Sequence, residues 1–452
     1  MRATRAHLGP VGFAAIVLLL AMIAPPAPAA ALPRYSFEPG QRLVYRGAET
    51  MTASRSGMGV ERETILSVVR RNADDTWRLI VTMTHTRFGG AGDARRVLHR
   101  RHDFHIVDLA ADGRLRQRGC DHFDGLDRVT PRLPADAAEA TRGWSFTSAD
   151  IGHRCQLVDR TDDAWTIEIT PMSAMNELNG FSSTVRTTID RGRGIIAEIA
   201  TRYRHRDRET RTALDRLEEE DRIPASELAT LAAEIDGFAE ATARYESRLA
   251  RTLLAGRMPA AAATLTETLA EFEAATSGFR SDTLRARART LITSHHAATP
   301  TWTTRLQKQS RIIGQPAPTF ALPDLDGTPR DLAAERGRVV VLDFWYRACG
   351  WCVRAMPQIE SLSARFAGRP VTVLGVNVDR VRDDARLVVD RLGLTYPSVQ
   401  ADGKLAAAYG VRSYPTLAVV DAEGVVRGVH VGYASTLEED LAAFIETLLG
   451  DS

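Results

Sequence analysis

The chain has 452 residues, about three domains' worth at roughly 150 each. Hydrophobic residues make up 44% and charged residues 25%, which excludes wholesale disorder, a collagen-like fibre and a multi-span membrane protein. The net charge of +1 leaves no excess of positive field to recommend nucleic acid as a partner.

Residues 1–31 read as an address. Arg2 and Arg5 precede the apolar run Val11–Ala24, and Ala27-Pro28-Ala29 or Ala29-Ala30-Ala31 supplies a small-residue cleavage site. The run holds fourteen residues, whereas about twenty span a bilayer. A cleaved secretory signal is therefore expected, with an uncleaved short anchor as the alternative. Either way the remainder should work in a periplasm or outside the cell, where disulfides persist.

From 34 to 216 the expectation is an antiparallel β-sheet domain, a large curved sheet or open barrel. Trp77, Leu79, Val81 and Met83 alternate with Arg78, Ile80, Thr82 and Thr84, and Trp165, Ile167 and Ile169 with Thr166, Glu168 and Thr170. Period two with one polar face implies a half-solvated antiparallel sheet. Asp112-Gly113 adds a hairpin signal. His99, His102 and His105 do not converge on an extended strand and read as a solvated, arginine-rich face.

Between 224 and 309 the period becomes helical, a spacer or docking bundle. Leu228, Leu231, Ile235, Phe238, Thr242 and Tyr245 fall on one stripe, and Ser226 is a plausible N-cap. Leu265, Leu269 and Phe272 begin a second helix; Ser281 to His296 form a third, with His295-His296 at its C-terminal end.

From 312 to 452 strands and helices alternate. Val339–Trp345 is an apolar run broken only by Asp343, as expected of a strand buried on both faces. Cys349-Gly350-Trp351-Cys352 then places two thiols at the mouth of a helix, whose N–H groups stabilise a thiolate on Cys349. Such a pair performs thiol–disulfide exchange: Cys349 attacks and Cys352, three residues on, resolves the mixed disulfide. A zinc site would need two further ligands that this stretch lacks, and a structural disulfide closing so short a loop would remove little chain entropy.

At these residues the chain resembles the thioredoxin fold, specifically the exported redoxins of the TlpA and ResA type. The resemblance covers roughly 313–449. It rests on Gly314-Gln315-Pro316-Ala317-Pro318, Asp343-Phe344-Trp345 before the dithiol, Pro357 within its helix, and Tyr414-Pro415-Thr416. It implies a thioredoxin-like α/β domain at the C-terminal end, so that with the sheet and helical regions before it the chain is expected to be multidomain α+β. It also implies a cis Tyr414–Pro415 bond, a substrate-binding role for Trp351, Tyr414 and Pro415, and a buried Asp343 that accepts the proton of Cys352. No cofactor is implied. The partners implied are protein thiols or disulfides and a redox donor or acceptor, membrane-borne in this family. The chain departs from the family in carrying Ala348 before the first cysteine, Trp351 in place of a proline before the second, and Ala355 where a glutamate is common. Peroxiredoxins share the fold, but their proline and hydroxyl positions upstream of the cysteine hold Leu342 and Tyr346. A binding or scaffold protein led by its sheet domain is the alternative of a different class.

Cys120 and Cys155 remain. Paired as a structural disulfide they would close a 36-residue loop, worth about 3–4 kcal/mol in the chain-entropy model. Two separately buried thiols are the other reading.

Overall fold

The computed structural model describes residues 32–51, 59–89, 96–118, 130–148, 151–172, 180–206, 208–434 and 436–450. The expected signal at 1–31 and Cys120 lie outside them, and so does the Cys120–Cys155 bond; Cys155 itself is buried.

Eleven strands form one antiparallel sheet among the described residues: β1 (Gln41–Met51), β2 (Gly59–Arg71), β3 (Trp77–Gly89), β4 (Arg96–Leu109), β5 (Leu115–Arg118), β6 (Trp144–Ser148), β7 (Ile151–Arg160), β8 (Ala164–Met172), β9 (Phe181–Asp190), β10 (Ile195–His205) and β11 (Arg208–Arg222). A short helix, α1 (Ala137–Arg142), precedes β6. The spatial order is β5-β4-β3-β2-β1-β11-β10-β9-β8-β7-β6, so two meanders meet where β1 pairs with β11. Register shifts at Val44/Tyr45, Val68/Arg70 and Tyr203/Arg204 add twist. The sheet curls enough for Trp77 and Val107 to share one core with Trp144 and Ile169, from strands near its opposite edge.

Three sequence expectations change here. Strand β11 runs on to Arg222, past 216, because its acidic run lies on the solvent side and is neutralised by arginines of β1. Arg42 pairs with Asp221 and Arg46 with Glu219. The sheet is not half-solvated throughout, since Trp77 to Val81 is buried on both faces. Helices cover the outer face there. His105 is also buried, while His99 and His102 are exposed, because β4 passes from solvent into that covered zone.

The covering helices are α2 (Ala225–Ala255), α3 (Ala260–Thr276) and α4 (Asp282–Gln309). Leu231, Ile235 and Phe238 of α2 pack on Val69, Ile80, Phe104 and Ile106 of the sheet. Pro224, not Ser226, is the N-cap of α2. Helix α4 continues through Pro300 to Gln309, so His295 is mid-helix rather than terminal. It is buried and hydrogen-bonded to the Tyr245 hydroxyl at 2.9 Å, which anchors the turn where a proline would ordinarily end a helix.

The C-terminal region is a five-stranded mixed sheet in the order β16-β15-β14-β17-β18, preceded by a small hairpin, β12 (Ala321–Pro323) and β13 (Pro329–Asp331). Strands β14 (Val339–Trp345), β15 (Val371–Asn377) and β16 (Ser398–Gln400) are parallel; β17 (Thr416–Val420) and β18 (Val426–Val431) are antiparallel. Helices α5 (Gly350–Arg365) and α8 (Leu437–Gly450) cover one face, and α7 (Gly403–Ala408) packs on the other; α6 (Arg382–Leu392) follows β15. All seven residues of β14 are buried, as its apolar run requires. This is the thioredoxin-like arrangement. Leu254 of α2 enters its core, and Gln309 Nε2 of α4 donates to the Val429 carbonyl at 2.7 Å.

Candidate active site

Strand β14 delivers the chain to a tight turn, and α5 begins at Gly350 with Cys349 as its N-cap. The helix therefore starts two residues before Cys352. The cause is that Cys349 Sγ does the work of a capping oxygen, accepting the Cys352 backbone N–H at 3.1 Å. The two sulfurs are joined, with S–S at 2.03 Å.

The partners differ in access. Cys349 retains 6% of its surface and Cys352 none, so an incoming sulfur can meet only the first. The helix N-terminus also favours negative charge on that outer sulfur.

Around the pair stand aromatic groups. Trp351 is 57% exposed and stacks on Tyr433 with ring centroids 5.6 Å apart. The Arg354 guanidinium lies 4.7 Å from the Tyr433 ring and 5.7 Å from that of Trp351. Across the turn, Tyr346 meets Tyr414 edge-on at 5.2 Å. The Tyr414–Pro415 bond is cis, as the resemblance implies, and so is Met258–Pro259. Pro415 is buried, and its carbonyl is taken by Gly432 N–H at 2.8 Å. Tyr414's own N–H and carbonyl join no hydrogen bond among the described residues.

Asp343 is wholly buried on β14, beside Gly375 of β15 and Leu417 of β17. Neither carboxylate oxygen makes a hydrogen bond of good geometry. Burial pushes its pKa up to about 7, and the nearby Tyr396 hydroxyl offsets only part of that cost. Trp345 Nε1, Tyr396 OH and Ser398 Oγ are likewise buried without a well-formed hydrogen bond, so an underserved polar group of side chains lies at this part of the redoxin domain. Gly375 is needed beside it: a Cβ there would stand 2.2 Å from Ser398 Oγ and 3.1 Å from Trp345 Nε1.

The structure thus brings Cys349, Trp351 and Cys352 together on one turn, sets Tyr414 and Pro415 in a loop packed against it, and seals Asp343 within the strand that feeds it. Tyr433, Arg354 and Tyr396 escaped the sequence reading. Arg354 sits three residues beyond Trp351, on the same helix face, which was a usable signal. Tyr396 and Tyr433 reach the site from distant loops, and nothing local marks them.

The Redoxin family model matches residues 312–445. Thiol-disulfide oxidoreductase ResA of Geobacillus thermodenitrificans is 32% identical over 143 residues, covering 31% of this chain and 81% of that protein. Thioredoxin-like protein YneN of Bacillus subtilis is 34% identical over 122 residues, 26% of this chain and 71% of that protein. Among solved structures, a putative thiol:disulfide interchange protein DsbE from Chlorobium tepidum is 32% identical, with a TM-score of 0.30, covering 30% of this chain and 98% of its own.

Proposed function

We propose that this chain, a member of the ResA-type thiol-disulfide oxidoreductase family and so an oxidoreductase, exchanges protein disulfides through Cys349 and Cys352 and does so outside the cytoplasm. One observation carries the reading: a disulfide at a helix mouth whose outer sulfur is reachable and whose inner sulfur is sealed. In the reducing direction the Cys349 thiolate attacks a substrate disulfide and releases one substrate thiolate. Cys352 then attacks the mixed disulfide, releases the second and closes the Cys349–Cys352 bond; two electrons pass to the substrate. The oxidising direction is the same path reversed.

Tyr414's unengaged backbone groups, beside the turn, offer an extended substrate segment the pairing of an added strand. Exposed Trp351 provides an apolar contact next to the attacking sulfur. Asp343, held near neutrality, takes the proton of Cys352 as that thiol resolves the intermediate. Export follows from the charged start and short apolar run at 1–31, and the electron donor or acceptor is a membrane-borne redox partner. No helix among the described residues is long and apolar enough to cross a membrane.

The test is trapping. Cys349→Ser should abolish exchange with an insulin-type disulfide, while Cys352→Ser should still attack and accumulate a mixed disulfide visible by mass spectrometry. Exchange surviving in Cys349→Ser would overturn the assignment of nucleophile and resolver.

A further inference from the structure

A cavity of about 930 Å³ lies where α4 meets the redoxin sheet, on the face opposite α5. Its volume is that of a ligand site. Four cations line it, Arg305 and Lys308 from the end of α4, Arg311 just beyond it and Arg412 from the loop after α7, and no acidic residue does. Chance does not favour this, because the whole chain balances 58 basic against 57 acidic residues. Some arginines elsewhere are matched, as Arg62 is with Asp215, Arg78 with Asp108 and Arg248 with Glu267. None of the four cavity cations has an ion-pair partner among the described residues. Arg305 Nε is also buried without a hydrogen-bond partner, and burial pushes that guanidinium down to about 10. Its charge is felt nearby: burial first, then Arg305, lower His430 to about 4, so that His430 stays neutral. A half-buried guanidinium with no counter-charge, its Nε shut off from water, is costly unless an anion completes it.

The rest of the lining indicates what kind of anion. Ser413, just before Tyr414, and Thr416, the first residue of β17 just after Pro415, both line it, so the cavity borders the loop that holds Tyr414 and Pro415. Ile312, Tyr409 and Val429 make another wall apolar, and Tyr409 is fixed by its hydroxyl bond to the Pro318 carbonyl at 2.9 Å. A small inorganic anion would leave that apolar surface wet. A peptide carrying carboxylates beside apolar groups would satisfy both.

We infer that this cavity is a substrate subsite that holds an acidic flanking segment of the protein disulfides engaged at the Tyr414–Pro415 loop, with Arg305, Lys308, Arg311 and Arg412 receiving its carboxylates. The inference rests on the exchange reading and names the substrate class for the same site. Charge complementarity there would act mainly on encounter, fading as salt screens it.

The test uses the full chain and two measurements. Reduced protein, freed of reductant, is mixed in single turnover with disulfide peptides identical except for flanks of Glu, Gln or Lys on both sides of the disulfide. The Glu-flanked peptide should react about tenfold faster than the Gln-flanked one at low salt, with the gap closing near 0.5 M NaCl. The surface variant Lys308→Glu/Arg412→Glu should lose that preference and keep the Gln-peptide rate. Separately, a rhodamine-labelled Glu-rich peptide lacking cysteine should bind by anisotropy, about tenfold more weakly to the same variant. Arg305→Gln should act the same way, with its fold checked by circular dichroism. Equal rates for all flanks, or peptide binding that ignores the variant, would overturn the subsite while leaving the exchange chemistry intact. If no peptide exchanges at all, the dithiol reading fails, and binding of the cysteine-free peptide still decides whether the cavity takes acidic segments.

Discussion

Arg78 and Asp343 are both ionisable side chains sealed in the middle of a sheet, and the two regions treat them in opposite ways. In the N-terminal sheet, Arg78 bonds Asp108 on the neighbouring strand and Asp236 on α2, with Asn72 holding Asp108 as well. The charge is fully matched and clasps the sheet to the helices. In the redoxin sheet, Asp343 meets no opposite charge and no well-formed hydrogen bond. A matched buried ion holds an architecture together; an unmatched one is kept poised to change its protonation.

Arg78→Met tests the first half and carries the largest effect on stability. It leaves Asp108 buried without its cation, so the sheet should lose about 3–5 kcal/mol in urea unfolding followed by tryptophan fluorescence. A cost under about 1 kcal/mol would make the clasp a bystander. Exchange by the dithiol should persist in whatever fraction remains folded.

Asp343→Asn should do the reverse. Between about pH 4 and 7 the folded chain keeps a proton that the unfolded chain has released, so stability falls as pH rises through that window and levels off above it. A rise from 3.8 to about 7 corresponds to about 4 kcal/mol. The variant should therefore lose this slope and, at pH 8, gain stability approaching that amount. Resolution of the mixed disulfide should meanwhile slow. A variant less stable than the parent at pH 8 would break the contrast with Arg78.

Tyr396→Phe sharpens the same point on a smaller scale. The hydroxyl opposes the effect of burial on Asp343, so its removal should move the carboxyl's titration further upward, read from the pH profile of mixed-disulfide resolution. Trp351→Ala should matter least for folding, within about 0.5 kcal/mol, because the ring is mostly exposed. Its effect should instead be a several-fold weaker engagement of substrate, measured as the second-order rate of attack.

Much of the site was legible because its chemistry is local. Cys349 and Cys352 lie three residues apart on a helix start, so chain geometry alone brings their sulfurs together and exposes one of them. The apolar run of β14 announced a strand buried on both faces, and Asp343 stood out within it. The helical stripe of α2 was equally plain, since Leu231, Ile235 and Phe238 repeat at the period of the helix.

Distance along the chain decided the rest. The alternation in β3 promises a wet outer face, but α2, about 150 residues later, covers Ile80 and Phe104 and leaves the Trp77–Val81 stretch dry on both sides. The histidine pair reads locally as a helix end, yet Tyr245 of another helix holds His295 within a continuous one. Tyr433 and Tyr396 join the dithiol region from separate loops. Lys308 and Arg412 are more than a hundred residues apart and share a cavity only because α4 docks on the redoxin sheet. Short-range patterns set which residues could be nucleophile, strand or stripe, because backbone geometry repeats within a few residues. Which charges are matched and which left unmatched was settled only by packing, where segments without sequence proximity meet in a medium too dry to ignore them.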